Sequence, residues 1–319
     1  MSSDYDESPV IPSRHFPIKA YYYRHAKGGI WKHVSSNKIN ERTYHPSSIK
    51  IVTWNVDFQN AQVKARLFVV LRYLEMHIFK CPPGEPPEPC VIMLQEVHRD
   101  ALSHLLENEW VRDNFVITPI SHTRWPNESL YGNVTLISRS LVVVKACILH
   151  FGHSSQSRTG VAVDIKLNTP STAAESREVT MRLINTHLES LEEGEQYRPI
   201  QMSILASYLK KREEVQGGVI AGDMNAISPS DTSLAEDFGL KDAWKKPHND
   251  ESGFTWGYQG GGNYPAARLD KVLYVPRRSY RVDEPSRIGV DLRAGYVEGG
   301  EDIWVSDHYG LVATLRVLR

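Results

Sequence analysis

The chain has 319 residues, of which 41% are hydrophobic and 24% are charged, and its formal net charge is −1. This composition is typical of globular proteins and excludes a wholly disordered chain. The near-neutral charge excludes a protein that binds nucleic acid through its overall charge, but it allows a local basic groove. The three cysteines have no paired spacing, and the sequence contains neither an apolar signal-peptide core nor an apolar run that could span a bilayer. These features predict an intracellular protein that is neither disulfide-bonded nor attached to a membrane.

Residues 1–48 are predicted to form an N-terminal extension. Its first twenty residues are polar and contain three prolines, which predicts partial flexibility. Further on, the runs Tyr21–Tyr23 and Ile30–Val34 flank a Gly-Gly pair, and this pattern predicts a β-hairpin. From Ile49 the pattern becomes regular and contains no further domain linker, so residues 49–319 are predicted to form one domain.

The regular part of the chain contains many short apolar runs and few amphipathic stretches. Strands are predicted at 49–56, 91–94, 131–138, 141–149, 159–167, 179–188, 217–221, 269–275 and 310–317. Helical spacing of apolar residues predicts helices at 63–74, around 100–110 and at 200–209, while five prolines between Cys81 and Cys90 predict a loop. This balance of elements predicts two β-sheets packed face to face with helices outside.

Polar residues of catalytic types gather where the predicted strands end. Four strands end in such groups and the last strand follows a fifth, and these motifs are Thr53-Trp54-Asn55, Gln95-Glu96, Asn185–Ser190, Gly222–Asn225 and Ser306-Asp307-His308. Loops on a rigid scaffold are where catalytic groups are usually found. The five motifs in their order, rather than any one of them, therefore carry the functional interpretation.

Each residue type has a role in phosphodiester hydrolysis. A hard divalent cation such as Mg²⁺ offsets the charge of the phosphate and takes oxygen ligands, so Glu96 is the predicted metal ligand, with Asn55 and Asp307 supporting it or its waters. Asp223 is the predicted base or positioning group for an attacking water, and Asn225 would hold the same water or a phosphate oxygen.

Two histidines are candidates for stabilising the transition state. His187 and His308 could donate hydrogen bonds to the phosphoryl oxygens if carboxylates hold and protonate their rings, and Asp270 is the predicted partner of His308. Each motif also has a structural interpretation, because Gly-Asp-Met-Asn suits a β-turn, Ser-Asp-His suits a cap, and a single histidine is more often structural. Trp256 taken alone is likewise more typical of a core or wall position.

The order of the motifs resembles the endonuclease/exonuclease/phosphatase superfamily. The resemblance rests on Thr-Trp-Asn (53–55), Leu-Gln-Glu (94–96), Thr-His-Leu-Glu-Ser (186–190), Gly-Asp-Met-Asn (222–225), Arg-Leu-Asp (268–270) and Ser-Asp-His (306–308). It implies a four-layer α/β sandwich, in which two packed mixed β-sheets are flanked by helices, and a catalytic domain over residues 49–319. It also implies in-line attack by water with Mg²⁺ as the cofactor, for which Mn²⁺ could substitute.

Within the superfamily the chain is most similar to the tyrosyl-DNA phosphodiesterase 2 branch, through residues 186–190, Phe-Thr-Trp (254–256) and Ser-Asp-His-Tyr-Gly-Leu (306–311). This resemblance implies hydrolysis of the bond between a tyrosine and a DNA 5′-phosphate, as left by stalled topoisomerase II, in DNA repair and in the nucleus. The cytoplasm is a second expected location, and the protein is expected to be a monomer. The substrate contacts that it implies are Trp256, Ser190, Arg158 and Arg268. The sequence departs from the branch at Met224 and at Ala226-Ile227, where an arginine that contacts DNA is lost.

Two other interpretations stay open. The same residues would serve an AP endonuclease, a general nuclease, or a lipid or inositol phosphatase of the superfamily, because the residue types of the catalytic set do not separate these substrates. An inactive scaffold is the alternative from another class, although no expected catalytic position carries a disabling residue.

Overall fold

The computed structural model describes residues 13–26, 28–34, 45–170, 176–259, 264–296 and 302–319. The helices are α1 (Val63–Tyr73), α2 (Arg99–Glu107), α3 (Glu109–Asn114), α4 (Arg198–Leu209) and α5 (Leu234–Asp237), and a π-helical turn over Leu74–Ile78 continues α1. The strands are β1 (Arg14–Pro17), β2 (Tyr21–Arg24), β3 (Ile30–His33), β4 (Ser48–Asn55), β5 (Cys90–His98), β6 (Phe115–Thr118), β7 (Tyr131–Ser138), β8 (Val143–His150), β9 (Thr159–Asn168), β10 (Glu178–His187), β11 (Gly217–Asp223), β12 (Lys241–Asp242), β13 (Asp270–Tyr274), β14 (Tyr280–Val282), β15 (Ser286–Ile288), β16 (Arg293–Tyr296), β17 (Asp302–Trp304) and β18 (Gly310–Val317).

The strands form two large mixed sheets. Over the described residues, one sheet has seven strands in the order β1-β8-β9-β10-β11-β13-β12. The other has the order β14-β18-β4-β5-β7-β6-β2-β3, with β15 also pairing with β18, while β16 and β17 form a separate ribbon. Each large sheet contains a parallel pair among antiparallel neighbours: β10 with β11 in the first and β4 with β5 in the second.

Apolar side chains fill three layers of contact. Between the sheets, inward residues such as Ile51 and Met93 of one sheet meet Val163 and Leu183 of the other. The helices α1 and α2 cover the outer face of the nine-stranded sheet, and α4 covers the outer face of the seven-stranded sheet. These layers confirm the predicted α/β sandwich of two packed sheets flanked by helices.

The N-terminal strands belong to both sheets. β2 and β3 pair antiparallel, which confirms the predicted hairpin, and β2 also pairs with β6 at the edge of the nine-stranded sheet. β1 pairs with β8 at the edge of the other sheet. The predicted flexibility of the first residues concerns 1–12, which lie outside the described part of the chain. None of the helices in the described ranges is long and apolar enough to cross a membrane.

A buried arginine on β10 ties the outer face of the seven-stranded sheet together. The guanidinium of Arg182 donates to both carboxylate oxygens of Asp164 at 2.7 Å, to Glu214 Oε2 at 2.5 Å and to the carbonyl oxygen of Tyr208 at 2.7 Å. Its hydrogen bond is the main reason that the pKa of Glu214 is lowered to about 2. This network joins α4 and the following loop to strands β9 and β10.

The lowered pKa of Glu214 predicts a specific acid sensitivity. A carboxyl whose pKa is lower in the folded protein stabilises the fold above its ordinary value of 4.5, and the contribution is lost as the pH falls from 4.5 towards about 2. We expect Glu214→Gln to lower the free energy of unfolding by about 1–3 kcal/mol at pH 7 and by less at pH 3, as measured by urea denaturation. Glu213→Gln, at the exposed neighbouring position, should lower it at neither pH, and an equal loss at both pH values for Glu214→Gln would contradict the assignment.

Candidate active site

The carboxyl ends of the two parallel strand pairs meet at one edge of the sandwich. There Asn55 ends β4, while His187 and Asp223 end β10 and β11 and stand opposite each other in register. The ends of β10 and β11 face a cleft of about 910 Å³, whose wall includes Glu96, His187, Asp223 and His308. Asn55 is buried and is joined to this wall by the hydrogen bond from its Nδ2 atom to Asp223. The topology therefore gathers polar residues that are far apart in the sequence.

Glu96 reaches the cleft through an irregularity in β5. The pairing of β5 with β7 shifts register between Leu94 and Val97, and Glu96 has a φ of 57°. A bulge of this kind redirects a side chain and is frequent beside active sites. The Oε2 atom accepts a hydrogen bond from the Phe58 amide at 3.0 Å, and Oε1 lies 3.8 Å from His187 Nε2. Burial raises the pKa of Glu96 to about 7, so the ionised carboxylate would be favoured by a nearby cation.

Asp223 lies at the centre of the site. Its Oδ2 atom accepts a hydrogen bond from Asn55 Nδ2 at 3.1 Å and lies 3.4 Å from His187 Nε2 and 3.7 Å from His308 Nε2. Burial raises the pKa of Asp223, and the neighbouring Asp270 carboxylate adds to that effect against the opposing His308 charge. A buried carboxylate of raised pKa is suited to accept a proton.

Gly222 allows the two strand ends to approach each other. A Cβ atom at this position would lie 1.8 Å from the carbonyl oxygen of Thr186 on β10, and the residue has a φ of 149°. Only glycine fits there, and the next residue is then placed directly beside His187. The amide of Asn225 donates back to Asp223 Oδ1 at 2.9 Å, and the Asn225 side chain donates to the carbonyl oxygen of Leu188 at 3.0 Å.

His308 and Asp270 form the buried pair that the sequence predicted. His308 Nδ1 lies 2.8 Å from Asp270 Oδ2. Burial alone would lower the pKa of His308, but Asp270, followed by Asp307 and Asp223, outweighs it and raises that pKa well above 6.5. The protonated ring therefore presents Nε2–H on the side of Asp223. The His308 backbone is also fixed, because its carbonyl oxygen accepts a hydrogen bond from Trp54 Nε1 at 3.0 Å.

His187 has a different partner from the one expected. The sequence suggested that a carboxylate would protonate both imidazoles, but His187 Nδ1 lies 2.7 Å from a guanidinium nitrogen of Arg158. Burial and the charges of Arg158 and His308 lower the pKa of His187 well below 6.5. The ring is therefore neutral. Because arginine can only donate, Nδ1 accepts the hydrogen bond and the remaining hydrogen is on Nε2.

The residues proposed for substrate contact line the same cleft. Trp256 Nε1 donates to Asp307 Oδ2 at 3.1 Å, and Arg158 donates to Ser190 Oγ at 3.3 Å. Arg268 lies in an ion pair of 2.8 Å with Asp242. The cleft thus combines two guanidinium groups with an indole wall, and its full aromatic lining is Phe58, Tyr131, His187, His248, Phe254, Trp256, Tyr264 and His308.

The profile of the Endonuclease/Exonuclease/phosphatase family matches residues 52–308. The matched range contains all the residues that meet in the cleft. The chain belongs to the endonuclease/exonuclease/phosphatase family. It is therefore a phosphoester-hydrolysing enzyme of a family that generally depends on divalent metals, and the superfamily resemblance drawn from the motifs is confirmed.

Solved structures of other proteins share the fold of this family member. They include D. rerio tyrosyl-DNA phosphodiesterase 2 (TDP2) complexed with single strand DNA product, with 17% identity, a TM-score of 0.63 and coverage of 85% of this chain and 100% of that one. TDP2 from C. elegans has 20% identity, a TM-score of 0.62 and coverage of 85% and 75%. D. rerio TDP2 humanized by 14 mutations has 18% identity, a TM-score of 0.62 and coverage of 85% and 100%. The search of curated proteins found no match.

Two groups of residues in this family member could take a divalent cation. The side chains of Asp223, Asp270 and His308 offer ligand atoms that all lie within 4.8 Å of one another. However, His308 Nδ1 is already paired with Asp270 Oδ2 at 2.8 Å, so this group is better described as a hydrogen-bonded cluster of charged side chains than as a metal site. Glu96 fits a cation better. Burial raises the pKa of its carboxyl group and nearby Asp307 adds to this effect, so a bound cation would stabilise the ionised form.

The structure adds contacts beneath the site that the sequence did not reveal. Arg66 is buried under the site and donates to the carbonyl oxygens of Val56, Asp57, Asn60, Ala61 and Val305. It thus joins the loop after Asn55 to the segment before Asp307. Gln95 Nε2 donates to Asn185 Oδ1 at 2.7 Å and links the two sheets beneath the cleft. Gln95 and Asn185 both belong to the strand-end motifs of the sequence, but nothing in the sequence indicates that they contact each other.

Proposed function

We propose that the protein is a Mg²⁺-dependent phosphodiesterase that hydrolyses the 5′-phosphotyrosyl bond between DNA and a trapped topoisomerase II. The convergence of Asp223, His187 and the His308–Asp270 pair on one side of a cleft, with Glu96 beside them, is the observation that carries the reaction class. The tyrosyl-DNA substrate is supported by the sequence motifs and by the TDP2 neighbours, one of which is complexed with single strand DNA product. We propose, from the same resemblance, that the protein acts as a monomer in DNA repair in the nucleus.

Attack by water is the first part of the proposed mechanism. Asp223 Oδ2 is the acceptor in the middle of the site, and its raised pKa suits removal of a proton from water. The hydrogen bond from Asn55 Nδ2 and the backbone contact from Asn225 fix both oxygens of the carboxylate. Asp223 would therefore aim the water in line with the leaving oxygen, and orientation of this kind supplies much of the rate in phosphoryl transfer.

Stabilisation of the phosphoryl oxygens is the second part. The charged ring of His308 and the neutral ring of His187 both present Nε2–H towards Asp223. Such preorganised donors in a water-poor site stabilise charge that develops in the transition state. Mg²⁺ held by Glu96, with Asn55 and Asp307 near its waters, would neutralise phosphate charge and polarise a phosphoryl oxygen, and we expect Mn²⁺ to substitute.

The cleft lining favours a substrate with aromatic groups. The rings of Phe58 and Tyr131 are stacked with centroids 3.8 Å apart, and Trp256 also lines the cleft. Aromatic walls beside guanidinium groups are typical of sites for single-stranded nucleic acid, because bases stack on the rings. A tyrosyl leaving group would be accommodated in the same manner.

Glu96→Gln is expected to raise the Mg²⁺ concentration needed for half-maximal activity by about tenfold or more, because the amide keeps the shape of the carboxylate but loses its charge. Metal titrations of the rate measure this change. Glu109→Gln, at an exposed site on α3, is the matched control and should leave the titration unchanged. An unaltered Mg²⁺ requirement in Glu96→Gln would remove this residue from the metal site.

A paired cleavage assay tests the proposed function. The purified protein with Mg²⁺ is offered DNA with a single-stranded 5′-phosphotyrosyl end, an abasic-site duplex, plain DNA and an inositol phosphate. Rapid, EDTA-sensitive release of tyrosine that leaves a 5′-phosphate is the expected result. Cleavage only of another substrate would keep the reaction class and reject the tyrosyl-DNA assignment.

A further inference from the structure

A buried carboxylate behind the active site organises a loop of the cleft wall. Glu189 is 1% exposed. Its Oε1 atom accepts hydrogen bonds from Ser155 N at 2.8 Å, Ser155 Oγ at 2.6 Å and Gln156 N at 2.9 Å. Its Oε2 atom accepts from Ser154 Oγ at 2.7 Å and from Gln201 Nε2 at 3.1 Å. Hydrogen bonds to an ionised acceptor in a buried site are strong, so this loop is firmly held.

The loop held by Glu189 carries the partner of His187. The Arg158 amide donates to Ser154 Oγ at 2.8 Å, which links the arginine backbone to the carboxylate through one hydroxyl. The guanidinium donates to Gln156 Oε1 at 3.1 and 2.8 Å and lies 2.7 Å from His187 Nδ1. The orientation of this guanidinium is therefore set by the loop.

We propose that Glu189 is a positioning residue for the proposed hydrolysis, which holds the loop of residues 154–158 so that Arg158 fixes the His187 ring with its Nε2–H on the cleft side. Glu189 itself does not line the cleft. Two intervening residues, Ser154 and Arg158, connect Glu189 to the His187 ring, which faces Asp223. A histidine without a fixed partner on Nδ1 samples both tautomers, and only one of them presents a hydrogen to the substrate.

A double-mutant cycle between Glu189 and Arg158 tests this connection. Glu189→Gln keeps the volume of the side chain but places an amide donor against the donors of the loop. With the p-nitrophenyl ester of thymidine 5′-phosphate as substrate, we expect kcat to fall about 10-fold for Glu189→Gln and about 100-fold for Arg158→Ala, and the double variant to be no slower than Arg158→Ala. A roughly 1,000-fold loss in the double variant, which is the product of the single effects, would overturn the proposal.

Asp164→Asn is the matched control for the loss of a buried carboxylate. Asp164 is 5% exposed and bonded to Arg182 rather than to the cleft. Asp164→Asn should lower stability. In the double variant with Arg158→Ala, the fold-change in kcat should equal the product of the two single fold-changes. If Glu189→Gln does not fold, Ser155→Ala removes only the 2.6 Å hydrogen bond to the same carboxylate. We expect Ser155→Ala alone to lower kcat about threefold. Combined with Arg158→Ala, it should lower kcat no further than Arg158→Ala does alone.

An NMR measurement separates this inference from the proposed hydrolysis. The ring ¹⁵N shifts of His187 should indicate a bare Nδ1 and a protonated Nε2 in the unaltered protein, and averaged tautomers in Glu189→Gln. Identical ring shifts in both proteins would reject the positioning role. Because this readout needs no turnover, it decides the inference even if the protein cleaves none of the offered phosphoesters, which would reject the proposed hydrolysis.

Discussion

Replacement of Asp223 by Asn should reduce kcat by about 10³- to 10⁴-fold and leave the fold intact. The Asp223 carboxylate accepts a hydrogen bond from Asn55 Nδ2 at 3.1 Å and faces two imidazole Nε2 atoms within 3.7 Å. An amide in its place cannot remove a proton from water and offers only one acceptor oxygen to the four surrounding donors, which are Asn55 Nδ2, His187 Nε2, His308 Nε2 and the Asn225 amide. Both the base and the order of the site are therefore lost, while the side-chain volume is kept.

Stability measurements distinguish this loss from unfolding. Because burial raises the pKa of Asp223, the ionised carboxylate destabilises the folded protein at neutral pH, and its neutral replacement should leave Tm unchanged or higher. Asp283→Asn is the control, since Asp283 pairs with Arg316 on the far edge of the nine-stranded sheet and should not affect kcat. An Asp223→Asn protein that retains more than a tenth of the activity would refute the assigned role.

The sequence predicted which residues form the site better than how they are connected. Asn55, Glu96, His187 and Asp223 could be predicted because each follows an apolar run, and the ends of parallel strands lie at one edge of a sheet. The pairing of His187 with Asp223 could not, because register depends on contacts between strands. The π-helical turn, the bulge at Glu96 and the strained φ of that residue leave no pattern in the sequence either.

Residues that support the site were missed because their role depends on contacts between distant parts of the chain. Arg66 donates to the carbonyl oxygen of Val305, 239 positions away. Glu189 lies within a recognised motif, yet its loop contacts lie 33 to 35 positions earlier. Arginine and glutamate side chains are ordinarily solvent-exposed, so no pattern in the sequence indicates that these two are buried.

The boundaries of helices and strands were also only partly predictable from the sequence. The helix predicted around 100–110 is two helices, because Asn108 ends α2 with a ψ of 124° and its side chain caps α3 by accepting from the Val111 amide at 3.1 Å. Asparagine is a favoured cap, so this break had a signal in the sequence. Strands such as β6 and β15 did not, since three or four residues are too few to establish a period of two.

His308→Ala should reduce kcat by about 10²- to 10³-fold, the usual cost of losing one preorganised donor to a transition state. It should also destabilise the protein, because the Asp270 carboxylate is completely buried and its Oδ1 atom has no partner among the described residues. With the imidazolium removed, Oδ2 loses its 2.8 Å contact as well. An unpaired buried charge of this kind costs about 3–5 kcal/mol, so activity must be compared at equal folded fractions.

The double variant His308→Ala/Asp270→Asn separates the two effects of this pair. Asn at position 270 removes the buried charge, so the free energy of unfolding should recover most of what His308→Ala lost. The rate should not recover, because the donor towards Asp223 is still absent. Urea denaturation and kcat, measured on the same preparations, give both quantities. Recovery of activity together with stability would mean that His308 serves only the fold. His187 would then be the only imidazole that donates to the transition state, and the role assigned to His308 would have to be withdrawn.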